Sequence, residues 1–402
     1  MKIIQIDTIY EYSSTGRTTA EMHNYFQQHD IDSYVFCTNY HLPEKNIFKF
    51  SNKWDMKLHA LLSRIFGLQG MFSYFSTKKL IKHLKKINPD VIHLRVLHCN
   101  CINLPLLLNY LSKNNVPTVI TLHDCWFFTG HCCYFLDPDC DGWKNKCGNC
   151  PHIKKWNKSL FFDNSSLQLA IKKRLFGEIQ NLAVIGVSDW VTNFIKYSIL
   201  KDSHIIKRIY NWIDCSKYTD RDSNTIRKKY GFNNNDFVVL GVAKIWTKQK
   251  GIDEFIKLAE LCHNFKFVIV GQVLEIDLPQ NIICLGVLSD LNQLIDMYFM
   301  SDVFFNPSIG ETFGKVTLES IASGTPVVAY NATATPEIVA EGCGYLVNVG
   351  DIEDVINKFN TIKNNKKSSY SEICRNYALN NFSKDNIIQQ YIELYENLRT
   401  SK

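Results

Sequence analysis

Short runs of β-branched and aromatic residues alternate along this chain with longer stretches whose apolar residues recur every three or four positions. No other feature restricts the fold as much, because a repeated strand–helix–strand rhythm builds parallel sheets covered by helices. In the first half the strand candidates are residues 2–6, 33–36, 91–94, 118–122, 183–187 and 204–209, with helices expected at 18–29, 77–87, 104–111 and 189–199. In the second half strands are expected at 237–242, 266–270, 282–285, 303–306, 326–329 and 345–347, and helices at 251–262, 291–299, 316–322 and 351–362. Six strands in each half give an α/β chain of two doubly wound domains, divided near the polar stretch 216–235. Ligands of open parallel sheets sit beyond the carboxyl ends of the strands, so function is expected in the loops that follow strands. With two such sheets face to face, the cleft between them is the default site.

The 402 residues supply ample apolar material for two cores, and 45 basic against 39 acidic side chains leave a net charge of +6. A nucleic-acid binder concentrates far more positive charge on one face, so no nucleic-acid partner is expected. No run reaches the roughly 18 uncharged apolar residues of a spanning helix. The start, Met1 to Asp7, lacks the charged head, long apolar run and small-residue cleavage site of a secretory signal, so the chain is expected in the cytoplasm.

The most informative segment is 308–329, which follows a strand candidate and opens a helix. Glu311 stands in its loop and Glu319 one to two turns into the helix. Gly310 and Gly314 let the backbone approach a ligand closely, and free amides at the helix start favour an anion. A second segment, 241–253, also follows a strand and carries Lys244, Lys248 and then Lys250-Gly251 ahead of an amphipathic helix.

These segments resemble the retaining glycosyltransferases of family 4, whose E-x7-E signature is matched by Glu311 and Glu319. The family's trailing Gly-x-Pro-Val-Val-Ala strand is matched by Gly324 to Ala329. The resemblance implies the GT-B architecture, two Rossmann-like doubly wound domains facing a deep cleft. It implies that Glu311 contacts hydroxyls of the donor sugar, Glu319 the nucleotide ribose, and the amides of Thr312, Phe313 and Gly314 the sugar and phosphates. In the family a loop Arg, then a Lys-Gly six residues on, bind the donor diphosphate. Lys250-Gly251 matches the second element. Lys244 stands where the Arg is usual, keeping the charge and losing the bidentate fork. On this reading residues 1–215 form the acceptor-side domain, 216–380 the nucleotide-sugar domain, and 381–402 a terminal helix crossing back to the first domain.

The first domain adds three weaker matches. Residues 7–18 read as a strand running into a Ser/Gly loop and then a helix, where the family has a Gly-rich loop, so Gly16 and Arg17 are expected to line the donor site. Thr121-Leu122-His123-Asp124 matches the context that in the family places a histidine near the donor sugar; His98 follows strand 91–94 in a similar way. Asn211-Trp212-Ile213-Asp214 resembles the family's Asn-Gly-Ile-Asp, with Trp212 in place of the glycine.

Six of the fourteen cysteines fall between Cys125 and Cys150, and the other eight are scattered, as reduced buried thiols are. Cys147 and Cys150 form a Cys-x2-Cys knuckle suited to tetrahedral zinc, and Cys132 or Cys133 with Cys140 completes four thiolates. His131 or His152 is an alternative ligand, and disulfides or free thiols are the alternatives to metal. The expected set is Cys132, Cys140, Cys147 and Cys150 around a structural zinc pinning the insert 125–151, a segment expected to have little apolar core of its own. Separately, Lys78, Lys79, Lys82, Lys85 and Lys86 lie on one amphipathic stretch after Phe72, Tyr74 and Phe75. That stretch reads either as a solvated helix face or as a surface docked on anionic lipid.

The reading is therefore a retaining hexosyltransferase with Glu311, His123, Lys250 and Lys244 as its catalytic residues. It moves a hexose from a nucleotide-diphosphate sugar, UDP favoured over GDP on frequency alone, to a hydroxyl of a growing, lipid-linked surface glycan at the inner face of the membrane. Outside the cysteine insert, where Asp137-Pro138-Asp139 has the letters, no Asp-x-Asp follows a strand, so no metal cofactor is expected for catalysis. Two alternatives stand beside this reading. One is a soluble GT-B sugar phosphorylase or oligosaccharide synthase. The other is a zinc-stabilised interaction protein with a decayed transferase site, for which Lys244 is the sign.

Overall fold

In a computed structural model, which describes residues 1–40, 45–136, 140–274 and 276–400, the β-branched runs form two all-parallel sheets. The first contains β1 (Lys2–Ile6), β2 (Asp32–Cys37), β3 (Ile47–Lys49), β4 (Val91–Leu94), β5 (Thr118–Leu122), β6 (Leu182–Gly186) and β7 (Ile205–Arg208), in the order β3-β2-β1-β4-β5-β6-β7. The second contains β8 (Phe237–Ile245), β9 (Phe265–Gln272), β10 (Ile282–Cys284), β11 (Val303–Asn306), β12 (Val327–Tyr330) and β13 (Gly344–Val347), in the order β10-β9-β8-β11-β12-β13. Every residue of β4, β5, β6, β11 and β12 is buried, as strands covered on both faces by helices must be. Both orders are doubly wound. Each reverses once, between β1 and β4 in the first sheet and between β8 and β11 in the second.

The chain divides into two units, Met1–Tyr210 with Ile387–Lys402, and Asn211–Asn386. The two ends of the second unit pair with each other. The Ile213 amide donates to the Phe382 carbonyl (2.8 Å) and the Lys384 amide to that of Ile213 (3.0 Å). The polar stretch after 215 carries the helix Ser223–Lys229 of the second unit, where Arg227 bonds the Met300 carbonyl and Asp302. The last helix, Lys384–Thr400, returns to the first unit, where Tyr395 and Tyr391 bond His93 on β4 and Thr121 on β5. The first sheet has one more strand than expected, because β3 is a three-residue edge with a single buried apolar side chain. Among the described residues no helix is long and apolar enough to cross a membrane.

Candidate active site

In the second unit, the two loops at the point where the strand order reverses are stitched together. Thr247 receives the Lys250 amide on its side chain and turns the chain after β8 into the helix Ile252–Leu261. Gly251 has φ +79°, and a Cβ there would lie 2.3 Å from Cγ of Pro307, so only glycine lets the loop after β8 pass the loop after β11. The Ile309 amide donates across to the Gln249 carbonyl (3.1 Å). This contact brings Lys250 to Glu311, with Nζ 2.5 Å from Oε1 and within 3.4 Å of Ser308 Oγ and the Gly310 carbonyl. Glu311 is braced in turn, its amide donating to Thr333 Oγ1 (3.0 Å) in the loop after β12. The two side chains are 33% and 17% exposed, so the pair is held in place yet open to a ligand.

The rest of the acidic signature divides between surface and core. Gly314 (φ +93°) begins the helix Lys315–Ala322, where the first amides of any helix lack intrahelical acceptors. Thr312 and Phe313 are buried, and the Phe313 ring packs edge-to-face on Phe382. Whatever these residues offer a ligand is therefore backbone. Glu319 is 1% exposed and accepts a hydrogen bond from the Tyr298 hydroxyl (3.1 Å). Lys244 lies on the extension of β8 rather than in the loop after it. Its side chain is exposed.

In the first unit the expected Ser/Gly loop is helix, which begins at Ser13 and runs to Gln28. Gly16 is buried in its first turn against Ile9 and Glu11, where a Cβ would come within 3.2–3.3 Å of both, and Arg17 follows it in the helix. The glycine thus serves helix-to-turn packing rather than an open loop. His123 follows β5, and its Nε2 accepts from Arg95 Nη2 (3.1 Å). Arginine has no acceptor atom, so the proton of a neutral His123 resides on Nδ1. Arg95, which directly follows β4, also donates to Thr18 Oγ1 (2.7 Å) and lies 3.6 Å from Asp7, which directly follows β1. Arg95 and Asp7 are 1% and 0% exposed. Burial raises the Asp7 pKa despite Arg95 and the Thr19 hydroxyl. This Asp7–Arg95–His123 arrangement escaped the sequence reading; its signal was a charge placed directly after each of two apolar strands.

Beside it, His98 Nε2 pairs with Asp124 Oδ2 (2.8 Å), and among the described residues His98, Asp124 and Cys133 form the group with ligand atoms within 4.8 Å of one another. Burial works against charge on His98, but Asp124 and then Cys133 outweigh it and hold its pKa well above the usual value. The expected zinc ligands Cys132, Cys140, Cys147 and Cys150 line a single pocket with His131 and Trp143. The insert is richer in apolar core than expected: Trp126, Phe127, Phe128, Phe135 and Trp143 are all buried. Asp137-Pro138-Asp139 lies outside the described residues.

Two family models match the chain, one described as Glycosyltransferase Family 4 over residues 15–217 and one as Glycosyl transferases group 1 over 222–380. An uncharacterized protein of the cps region of Klebsiella pneumoniae is 26% identical over 401 residues, covering 95% of this chain and 96% of its own. The capsular polysaccharide biosynthesis glycosyltransferase CapM of Staphylococcus aureus is 26% identical over 192 residues, 43% of this chain and 50% of its own. Among solved structures, that of Anabaena HepE in complex with UDP-glucose superposes with a TM-score of 0.67 at 18% identity, covering 99% of this chain and all of that one. At that identity the likeness shows the shared fold.

Proposed function

Because the chain belongs to the glycosyltransferases of family 4, we propose that it moves a hexose, with retention of the anomeric configuration, from a nucleotide-diphosphate sugar to a hydroxyl of a growing surface glycan. The observation that carries this reading is Lys250 held against Glu311 where the strand order reverses, a half-open cation beside a carboxylate. Lys250 stabilises the charge that develops on the leaving diphosphate, and Lys244, an exposed cation on β8, is proposed as a second contributor. Glu311 orients sugar hydroxyls, the backbone from Thr312 to Gly314 meets sugar and phosphate, and Glu319 reaches the ribose from the buried side. The C1–phosphate bond breaks as the acceptor oxygen bonds to C1 on the same face, and the acceptor proton passes to the departing phosphate oxygen. His123 and Arg17, on the helix start that Gly16 packs, are proposed as further donor-binding residues. No metal ion is assigned a part in the reaction. The Anabaena protein solved with UDP-glucose favours a UDP-sugar, with a GDP-sugar second. The test is a thermal-shift screen against UDP-, GDP- and dTDP-sugars with Glu319→Ala as control, followed by NMR of the product anomer. Stabilisation by one nucleotide, lost in the variant, and an α-to-α product support the reading; an inverted anomer sinks it.

The acceptor is lipid-linked on this proposal, which asks for a membrane-facing surface. The helix Lys53–Phe66, which the sequence reading missed, leaves Trp54 (79%), Leu58 and Leu61 exposed, and the helix Tyr74–Ile87 begins with Phe75 at 81%. Lys53, Lys57, Lys78, Lys79, Lys82, Lys85 and Lys86 are exposed on the same two helices. Aromatic side chains among lysines suit the interface of an anionic bilayer, where each lysine contributes roughly 1 kcal/mol. Sedimentation with phosphatidylglycerol-containing vesicles, reduced in a Trp54→Ala/Phe75→Ala variant, is the expected result. Equal recovery with neutral vesicles contradicts it.

A further inference from the structure

The stretch between β5 and the helix Ser165–Gly177 contains only two short 3-10 turns among its described residues, Trp126–Phe128 and Gly142–Lys144. Its buried aromatics do not account for the placing of four of its thiols around one pocket. Cys132, Cys140, Cys147 and Cys150 line one pocket. Sγ of Cys132 and Sγ of Cys150 are 3.8 Å apart. Zinc–thiolate bonds of about 2.3 Å in a tetrahedron set the sulfurs about 3.8 Å apart, so this pair already has the spacing of one edge of a tetrathiolate site. The geometry points to a structural zinc ion held by Cys132, Cys140, Cys147 and Cys150, with Cys140 and Cys147 turning inward to close the tetrahedron.

Two surrounding features fit that site. A Cβ on Gly130 would lie 2.1 Å from the Ser165 carbonyl oxygen and 2.9 Å from Cβ of Cys147, so only glycine fits between that carbonyl and Cys147. Lys172 is fully buried and donates to the carbonyls of Trp126 (2.6 Å) and Thr129 (3.0 Å). A zinc tetrathiolate carries two net negative charges, and a buried ammonium nearby offsets one of them. The inference is independent of the transferase reading, since it concerns how the insert that begins directly after His123 and Asp124 is held.

Metal analysis of the purified full-length chain, prepared without chelator, is expected to give one zinc per chain. A Cys147→Ser/Cys150→Ser variant is expected to lose it, and Cys284→Ser, which changes an exposed thiol elsewhere, to keep it. Because the double variant can fail to fold, the wild-type chain is also exchanged with Co2+, whose spectrum reports ligand type directly. The thiolate charge-transfer and d–d bands of a tetrahedral four-sulfur site are expected. Folded wild-type protein without zinc overturns the assignment, as does zinc that survives the double substitution, a cobalt spectrum of mixed sulfur and nitrogen ligands, or a Cys132–Cys150 disulfide in freshly purified protein.

Discussion

Each sheet places a cation and a carboxylate just past the two strands where its order reverses, and the two pairs have opposite characters. In the first unit Asp7 follows β1 and Arg95 follows β4; in the second Lys250 follows the loop of β8 and Glu311 that of β11. The first pair is sealed, at 0% and 1% exposure, and spends its hydrogen bonds on Thr18, Thr19 and His123. The second is 33% and 17% exposed, with loop oxygens around the ammonium. The same topological position therefore serves two ends. Where the pair is buried it fixes a neighbouring side chain; where it is half-open it waits for a ligand. Doubly wound topology marks where a site can be, and solvent access decides whether one is.

Substitutions in the two pairs should separate these roles. The largest effect is expected from Arg95→Met, which leaves Asp7 buried without its partner and should cost about 3–5 kcal/mol in chemical denaturation. A loss below about 1 kcal/mol would mean that the first pair resembles the second after all. Lys250→Ala should do the reverse. Turnover falls about 10²–10³-fold, while stability changes by no more than about 1 kcal/mol, the range of partly exposed ion pairs.

Gly251→Ala joins the two effects. The new Cβ meets Pro307 at a position with φ +79°, so about 1–3 kcal/mol of stability should be lost, along with turnover, as Lys250 moves off Glu311. The smallest effect is a pH slope. Burial raises the Asp7 pKa above its unfolded 3.8, so between the two values the folded chain binds more protons than the unfolded one. That contribution is complete below 3.8 and fades as pH rises through the folded value. Urea titrations across that window should show wild-type stability declining relative to Asp7→Asn; parallel curves would show that Asp7 does not titrate there.

The second unit's site was legible because its parts are local. Glu311, Gly314 and Glu319 lie in one strand–loop–helix unit, and Lys250-Gly251 in another, so short stretches of sequence carry the chemistry. What the sequence could not display was the packing that joins them, Gly251 against Pro307, or that Glu319 turns inward to Tyr298. In the first unit the reverse holds. Asp7 and Arg95 are 88 residues apart, and a single charge at a strand end reads as a rim residue until the fold buries it. Gly16 shows the related error: a Ser-Thr-Gly run reads as a loop, but here it is the first turn of a helix that needs glycine to pack on Ile9. The missed helices failed for identifiable reasons. Lys53–Phe66 turns apolar residues to solvent, and Ser165–Gly177 mixes the polar Gln168 and Lys172 with Leu169, Leu175 and Phe176 on its buried face, so neither shows a clean apolar stripe. Ser368–Phe382 buries Tyr370, Cys374, Ala378 and Phe382 at four-residue intervals, a pattern the sequence did display.

The central claim is that Lys250, held by Glu311, is the cation on which a nucleotide-sugar donor is broken. It is tested most directly by measuring nucleoside diphosphate release from UDP-, GDP- and dTDP-sugars by the wild-type chain and Lys250→Ala side by side, with both shown to be folded. The account predicts release from one donor by the wild type and a drop of about 10²-fold or more in the variant. Equal release by the two proteins would contradict it, as would a folded wild type that neither binds nor cleaves any nucleotide sugar.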